Sequence, residues 1–272
     1  MRPPARARIY RRTRSHFKAL QVNSRALSPP PKPGHRQTEI GRQINRAIDN
    51  ALLTERAAEQ HRGYLGASSI GEACDRKLVL EYQGNAGEVD AQLLRVFAAG
   101  HVFEELLARW LRLAGFDLRD VDPNTGQQYS FETAGGRVRG HCDGVIFAGP
   151  DIGVAYPVLW EGKALNEVSW LDLTRRGVMQ SKPIYFAQVQ TYMSHLRIER
   201  CLFTALNKNT AVLYHELVAL DPAYAQQLSE RAVRLVDLAE ENELPPRIDD
   251  LRECRDCRVA APCRVHSVGA VR

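Results

Sequence analysis

Two apolar runs, each with an acidic residue set inside it, constrain this 272-residue chain more than any other feature. RGHCDGVIF covers 139–147 and VLWEGKAL covers 158–165, and both have the dense aliphatic and aromatic character of strands in a sheet. If the two runs pair, Asp143 and Glu161 come side by side at one end of that sheet. Carboxylates brought together in this way repel each other and stay charged only if a cation neutralises them. Hard oxygen ligands of this kind suit Mg²⁺ or Mn²⁺.

Lys163 stands two residues after Glu161. Strand side chains alternate, so both leave the same face. A metal-bound carboxylate and an ammonium then flank one point in space, an arrangement that suits phosphodiester hydrolysis. The metal polarises the phosphoryl oxygen, and the lysine orients or deprotonates the attacking water and offsets transition-state charge. The carbonyl of Gly162, between them, is expected to serve as a further ligand. E-x-K by itself is commonplace and usually marks a solvated ion pair, so the surroundings have to carry the reading.

Around these runs the chain is mixed. Ile40, Ile44, Ile48 and Leu52 recur every four residues after Thr38, an N-cap, and predict an amphipathic helix. Further helices are expected over Ile70–Tyr82, about Asp90–Ala114, Ile184–His195 and Pro222–Glu241. Strands are expected near Gln128–Glu132, Val138–Phe147, Val158–Lys163, Cys201–Leu206 and Val212–Val218, the last two joined by the turn NKNT. The fold class is α/β: a small mixed sheet flanked by helices, after a helical part at 38–115, with a core at 116–243 and a cysteine-rich tail at 244–272.

Two helices flank the acidic runs. In FAAGHVFEELLARWL, His101 lies between Phe97 and Glu105, one turn to either side; in FAQVQTYM, Gln188 and Tyr192 share a face. The tail holds ECRDCRVAAPCRVH, in which Cys254, Cys257 and Cys263 are spaced C-x2-C-x5-C. Three thiolates so close in so charged a segment indicate a metal centre. Its fourth ligand is either Cys74 or His266, the latter completing a local zinc site. Cys142 and Cys201 are expected to be core residues.

In this order, Gly100–His101, Gly140–Asp143, Glu161–Lys163 and Gln188–Tyr192 resemble the motif series of the RecB-like branch of the PD-(D/E)XK nucleases. The resemblance spans roughly residues 66–263 and implies a restriction-endonuclease-like core. By it, His101, Asp143, Glu161 and the Gly162 carbonyl would hold the catalytic metal. Lys163 would position the water, and Gln188 and Tyr192 would brace the site and touch the DNA backbone. Cas4-like, exonuclease V and AddB-type members place one cysteine before these motifs and C-x2-C-x5-C after them, around a 4Fe-4S cluster. By that likeness Cys74, Cys254, Cys257 and Cys263 would hold such a cluster, with zinc on Cys254, Cys257, Cys263 and His266 as the alternative. The implied activity is an exonuclease acting on single-stranded DNA or DNA ends in repair, recombination or phage DNA metabolism. A CRISPR-adaptation trimming enzyme and a non-cleaving DNA-binding subunit are the alternatives, and Asp143 and Lys163, both present, argue against the second.

The net charge of +5 divides unevenly. Residues 1–36 carry ten Lys or Arg and no acid, leaving 27 basic against 32 acidic residues in the rest, a balance of −5. With an acidic body, contact with DNA is expected in a channel, for which Arg76, Lys77, Lys182 and Lys208 are the candidates. Residues 1–37, ending in the linker SPPPKPGHR, are expected to be a disordered basic arm. The location expected is the cytoplasm of a bacterial or phage-infected cell, with an organellar matrix as the alternative because of the Arg-rich start. Partner proteins of the recombination or helicase kind are expected as well.

Overall fold

The computed structural model describes residues 38–59, 62–255 and 257–268, with the side chains of 251, 252 and 266–268 left aside. The basic arm and linker expected over 1–37, and the side chain of His266, lie outside the described residues. In chain order the elements are α1 (Glu39–Ala57), β1 (Leu65–Gly66), α2 (Asp75–Tyr82), α3 (Ala91–Leu113), β2 (Leu118–Arg119), β3 (Ser130–Thr133), β4 (Val138–His141) and β5 (Gly144–Ile146). They continue as β6 (Val158–Leu165), α4 (Glu167–Ser181), α5 (Pro183–Leu196), β7 (Arg200–Asn207), β8 (Leu213–Ala219), α6 (Pro222–Glu240), α7 (Leu251–Arg255) and α8 (Ala260–Val268). Among the described residues no helix is long and apolar enough to cross a membrane.

The mixed α/β architecture expected from the sequence is the one observed. Its centre is a five-stranded sheet in the order β2-β5-β6-β7-β8, antiparallel throughout except for the parallel pair β6 and β7. A parallel pair needs a long crossover, and α4 and α5 supply it. Residues 167–181, to which the sequence patterns assigned no element, are helical. Asn166 caps α4, its side chain accepting from the Ser169 N–H at 2.8 Å. The helix deviates only at Gly177, whose φ of 72° few other residues tolerate.

The run 138–147 is not one strand. It divides into β4, in a three-stranded sheet β1-β4-β3, and β5, in the five-stranded sheet. Cys142 and Asp143 make the passage between the sheets. The early helical part thus also contributes a strand, since β1 pairs with β4. Trp160, fully buried, anchors α3 to β6 beside Leu107 and Leu111. Its indole N–H donates to Thr204 Oγ1 at 3.1 Å, which keeps a large apolar surface buried with no orphaned donor. Cys142 and Cys201 are core residues, as their setting in the sequence predicts.

Two elements differ from their sequence patterns. α1 forms, but Ile40, Ile44 and Ile48 are exposed, and none of its residues is buried. It meets α3 through the Asp49–Arg95 ion pair. α2 begins at Asp75, five residues later than expected from Ile70. In the segment before it, at Gly71, the chain runs against α5: a Cβ there would lie 2.6 Å from Ile184 Cα. Gly71→Ala must push the segment away from α5. It is expected to cost about 1–3 kcal/mol of stability, measured by urea unfolding, with the midpoint shifted and the slope unchanged.

Candidate active site

β5 and β6 run antiparallel with Gly144 opposite Trp160. One step further along that register Asp143 faces Glu161, so the passage between the sheets delivers its carboxylate to the edge of β6. From there on, β6 pairs only with β7, and its other edge is open to the site. The Gly162 N–H, which would otherwise continue the ladder, donates to Asp143 Oδ2 at 2.9 Å. Gly162 itself must lack a side chain, because a Cβ would stand 2.8 Å from the Trp160 ring.

Glu161 is fully buried, and its Oε2 has no hydrogen-bond partner. Its Oε1 accepts from the Lys163 ammonium, which also stands 3.7 Å from Asp143 Oδ2. The sequence reading expected His101 as the helical contribution, and the geometry corrects this. His101 points to solvent, its side chain 79% exposed, with Nδ1 3.9 Å from Glu104. Glu104, one turn later on α3, is the residue that reaches the cluster and hydrogen-bonds the Asp143 carboxylate. The cause lies in helix phase. Leu107, Ala108 and Leu111 form the buried stripe of α3, and Glu104 extends that stripe by one turn, whereas His101 belongs with exposed Glu105 and Arg112. A carboxylate in line with a core stripe was the signal available in the sequence.

Burial raises the Glu161 carboxyl to about 8, with Asp143 raising it further and Lys163 opposing. Burial likewise raises Glu104 to about 7, reinforced by Asp143. For Lys163 burial opposes the charge, yet Glu161 and Asp143 more than reverse this and hold the ammonium above the usual lysine range. The Glu104–Asp143 contact needs a proton on one partner. Among the described residues no three His, Cys, Asp or Glu side chains form a ready metal cage. What the site does hold is three crowded carboxyl groups around one ammonium, and a buried Glu161 oxygen with nothing to bond. Three carboxylates of this kind fit a hard divalent cation, and they would have to shed protons to take it.

On the α5 side, Gln188 and Tyr192 are both buried, and the Gln188 amide donates to the Tyr192 phenol at 3.4 Å. Burial, then Glu161, raises the Tyr192 phenol, so it stands near the carboxylates as a neutral hydroxyl. The pair is placed to brace the cluster; buried as it is, it presents no surface for a DNA backbone. Gly140 permits this, since a Cβ there would be 2.4 Å from the Tyr192 ring. Tyr185, which the sequence patterns did not single out, places its ring 5.5 Å from the Lys163 ammonium.

Of the basic residues expected to meet DNA, three are otherwise engaged. Arg76 is buried and donates to the carbonyls of Pro245 at 3.0 Å and Cys263 at 3.5 Å. Its charge ties α2 to the tail and is withdrawn from solvent. Lys77 pairs with Glu72 at 2.8 Å, and Lys182 with Asp172 at 3.5 Å. Lys208 is exposed in the turn after β7.

The tail lies across α2. The Gly87 N–H donates to the Arg258 carbonyl at 2.8 Å, and Arg258 pairs with Glu81 at 3.1 Å. Cys74 precedes the first turn of α2, Cys254 lies in α7 and Cys263 in α8, and Cys74, Cys254, Cys257 and Cys263 are each partly exposed. Burial raises the Cys257 thiol, and both Cys74 and Cys254 are near enough to add to that effect.

No family model matches the chain, and no curated protein matches it. Among solved structures it is similar to an alkaline exonuclease (LHK-Exo) from Laribacter hongkongensis, with a TM-score of 0.49 and 16% identity over 71% of this chain and 93% of that one. The same enzyme in complex with dAMP gives 0.47 and 16% over 72% and 93%. SSO0001 gives 0.44 and 16% over 81% and 96%. At these scores and identities the likenesses carry no functional weight, which rests on the residues of the site.

Two outcomes follow from this cluster. Glu104 and Glu161 titrate near 7 and 8 when folded against a usual 4.5, so their contribution to the stability of the metal-free protein is full below pH 4.5 and gone above about 8. Thermal melts of the metal-free protein should fall across that window, and Mn²⁺ should restore stability most at the alkaline end. By calorimetry at pH 8, Glu104→Gln is expected to weaken Mn²⁺ binding about tenfold or more, and His101→Ala to leave it unchanged.

Proposed function

We propose that this protein is a divalent-metal-dependent deoxyribonuclease, hydrolysing phosphodiesters with Asp143, Glu161 and Lys163, with Glu104 in the place first expected of His101. The observation that carries this reading is the buried Glu161, its second oxygen unpartnered, with Asp143 across the strand pair and Lys163 two residues on. Asp143, Glu161 and Glu104 would hold Mg²⁺ or Mn²⁺, with the Gly162 carbonyl as a further ligand. When bound, the ion supplies Lewis acidity at the scissile phosphate and lowers the pKa of the attacking water. Lys163 directs that water and offsets charge on the phosphoryl oxygens; an ammonium held so firmly suits this better than proton abstraction. Gln188 and Tyr192 keep the Glu161 side of the cluster in place and exclude water from it. Action on single strands or ends, in repair, recombination or phage DNA metabolism, is the form of the activity proposed.

We further propose that Cys74, Cys254, Cys257 and Cys263 hold a 4Fe-4S cluster. Support comes from the packing of the tail over α2 and from the Arg76 struts, which bring one early and three late cysteines into neighbouring elements. Its role would be a staple closing most of the chain into one loop.

Labelled single- and double-stranded DNA, with Mg²⁺, Mn²⁺ or EDTA, tests the activity. Cutting is expected with either ion and not with EDTA, and Lys163→Ala should lower the rate about a hundredfold or more while its circular dichroism stays that of the wild type. Undiminished cutting by Lys163→Ala would retire the assignment. The same preparation, made anaerobically, is expected to be brown; colourless protein containing zinc would retire the cluster.

A further inference from the structure

Gln188 and Tyr192 share the face of α5 that is turned to the acidic cluster. Three residues before Gln188 the same face carries Tyr185, in the first turn of the helix behind Pro183. Its ring packs against Phe203, with centroids 6.2 Å apart and planes 28° from parallel. Phe203 is fully buried and sits opposite Glu161 in the parallel register of β6 and β7. Residues paired in this way leave the same face of a sheet. Tyr185 therefore lies on the side of β6 that carries Glu161 and Lys163, and not on the side of Trp160.

The Lys163 ammonium stands over that ring, 5.5 Å from its centroid, within the range at which the negative face of an aromatic ring attracts a cation. Tyr185 is half-buried, so water dilutes the attraction less than on an open surface. Lys163 also has two charged partners, Glu161 and Asp143. Both are carboxylates assigned to the metal above. A carboxylate that serves a divalent ion has less charge left for an ammonium. The ring has no carboxylate oxygen to give to the metal, and its attraction for Lys163 does not depend on whether the ion is bound.

Resting on the nuclease reading above, we propose that Tyr185 is a positioning residue for the reaction, its ring holding the Lys163 ammonium over the cluster when Glu161 and Asp143 are engaged with the metal. The stack on Phe203 fixes the ring and ties it to the strand beside Glu161. The attraction belongs to the ring face, so the hydroxyl is dispensable to it. An ammonium free to swing away would no longer face the attacking water. Loss of the ring should therefore lower turnover and leave the binding of DNA and metal as they were.

Steady-state cutting of a single-stranded oligonucleotide with Mg²⁺ tests this, together with Mn²⁺ calorimetry on the same proteins. Tyr185→Phe keeps the ring and is expected to hold kcat within about twofold of wild type. Tyr185→Leu removes the ring, keeps an apolar side chain, and should lower kcat about fivefold or more with KM within about twofold. Mn²⁺ affinity should stay within about twofold in both, since neither removes a carboxylate. Added to Lys163→Ala, Tyr185→Leu should lower kcat no further, because no ammonium is left to hold. Tyr185→Met makes the same comparison if the leucine variant does not fold. Wild-type kcat in Tyr185→Leu, an equal loss in Tyr185→Phe, weakened Mn²⁺ binding in Tyr185→Leu, or losses that multiply in the double variant would overturn the role of Tyr185 and leave the nuclease reading standing. A wild-type protein that cuts no DNA with Mg²⁺ or Mn²⁺ would overturn both.

Discussion

The placement of Glu161 is the constraint on which the rest of this molecule depends. A carboxylate with no solvent exposure is costly unless something compensates its charge. Every neighbouring element contributes to that compensation or to the crowding that makes it necessary. β6 carries Lys163 back over the same point, the passage from β4 to β5 brings Asp143 opposite, and α3 adds Glu104. The ammonium and the protons on the carboxyls balance the charge in the metal-free arrangement. Both are movable, and that makes the cluster suited to exchange protons for a divalent ion.

The sheet is arranged to make this concentration of charge possible. Because β5 starts only at Gly144, one edge of β6 is free beyond Trp160, and the freed Gly162 N–H is used to orient Asp143. Trp160 supplies the apolar support on one face and at the same time dictates glycine at 162. On the other face Gln188 and Tyr192 close the site. Function and packing therefore use the same residues, and the site cannot be rearranged without disturbing the core.

Much of this was legible before the fold was known. Period-two and period-four patterns located most helices and strands, and the two acidic runs pointed to the pairing of Asp143 with Glu161. What escaped had physical reasons. The run 138–147 reads as one strand because nothing in an apolar sequence marks a change of sheet. α4 was hidden by Gly177 and by charged residues that blur its stripe. His101 was singled out by the motif resemblance, and Glu104 was not considered, although only the phase of the buried stripe decides which side chain faces inward. Arg76 shows the opposite error: an arginine in a basic pair with Lys77 is an internal strut, because the carbonyls of the folded-over tail accept its hydrogen bonds.

An anomalous-scattering crystal structure with Mn²⁺ tests the central claim most directly. One strong peak is expected in contact with the carboxylates of Asp143 and Glu161, with Glu104 turned towards it and the imidazole of His101 still in solvent. Manganese bound elsewhere, or coordinated by that imidazole while Glu161 keeps only its lysine, would contradict it.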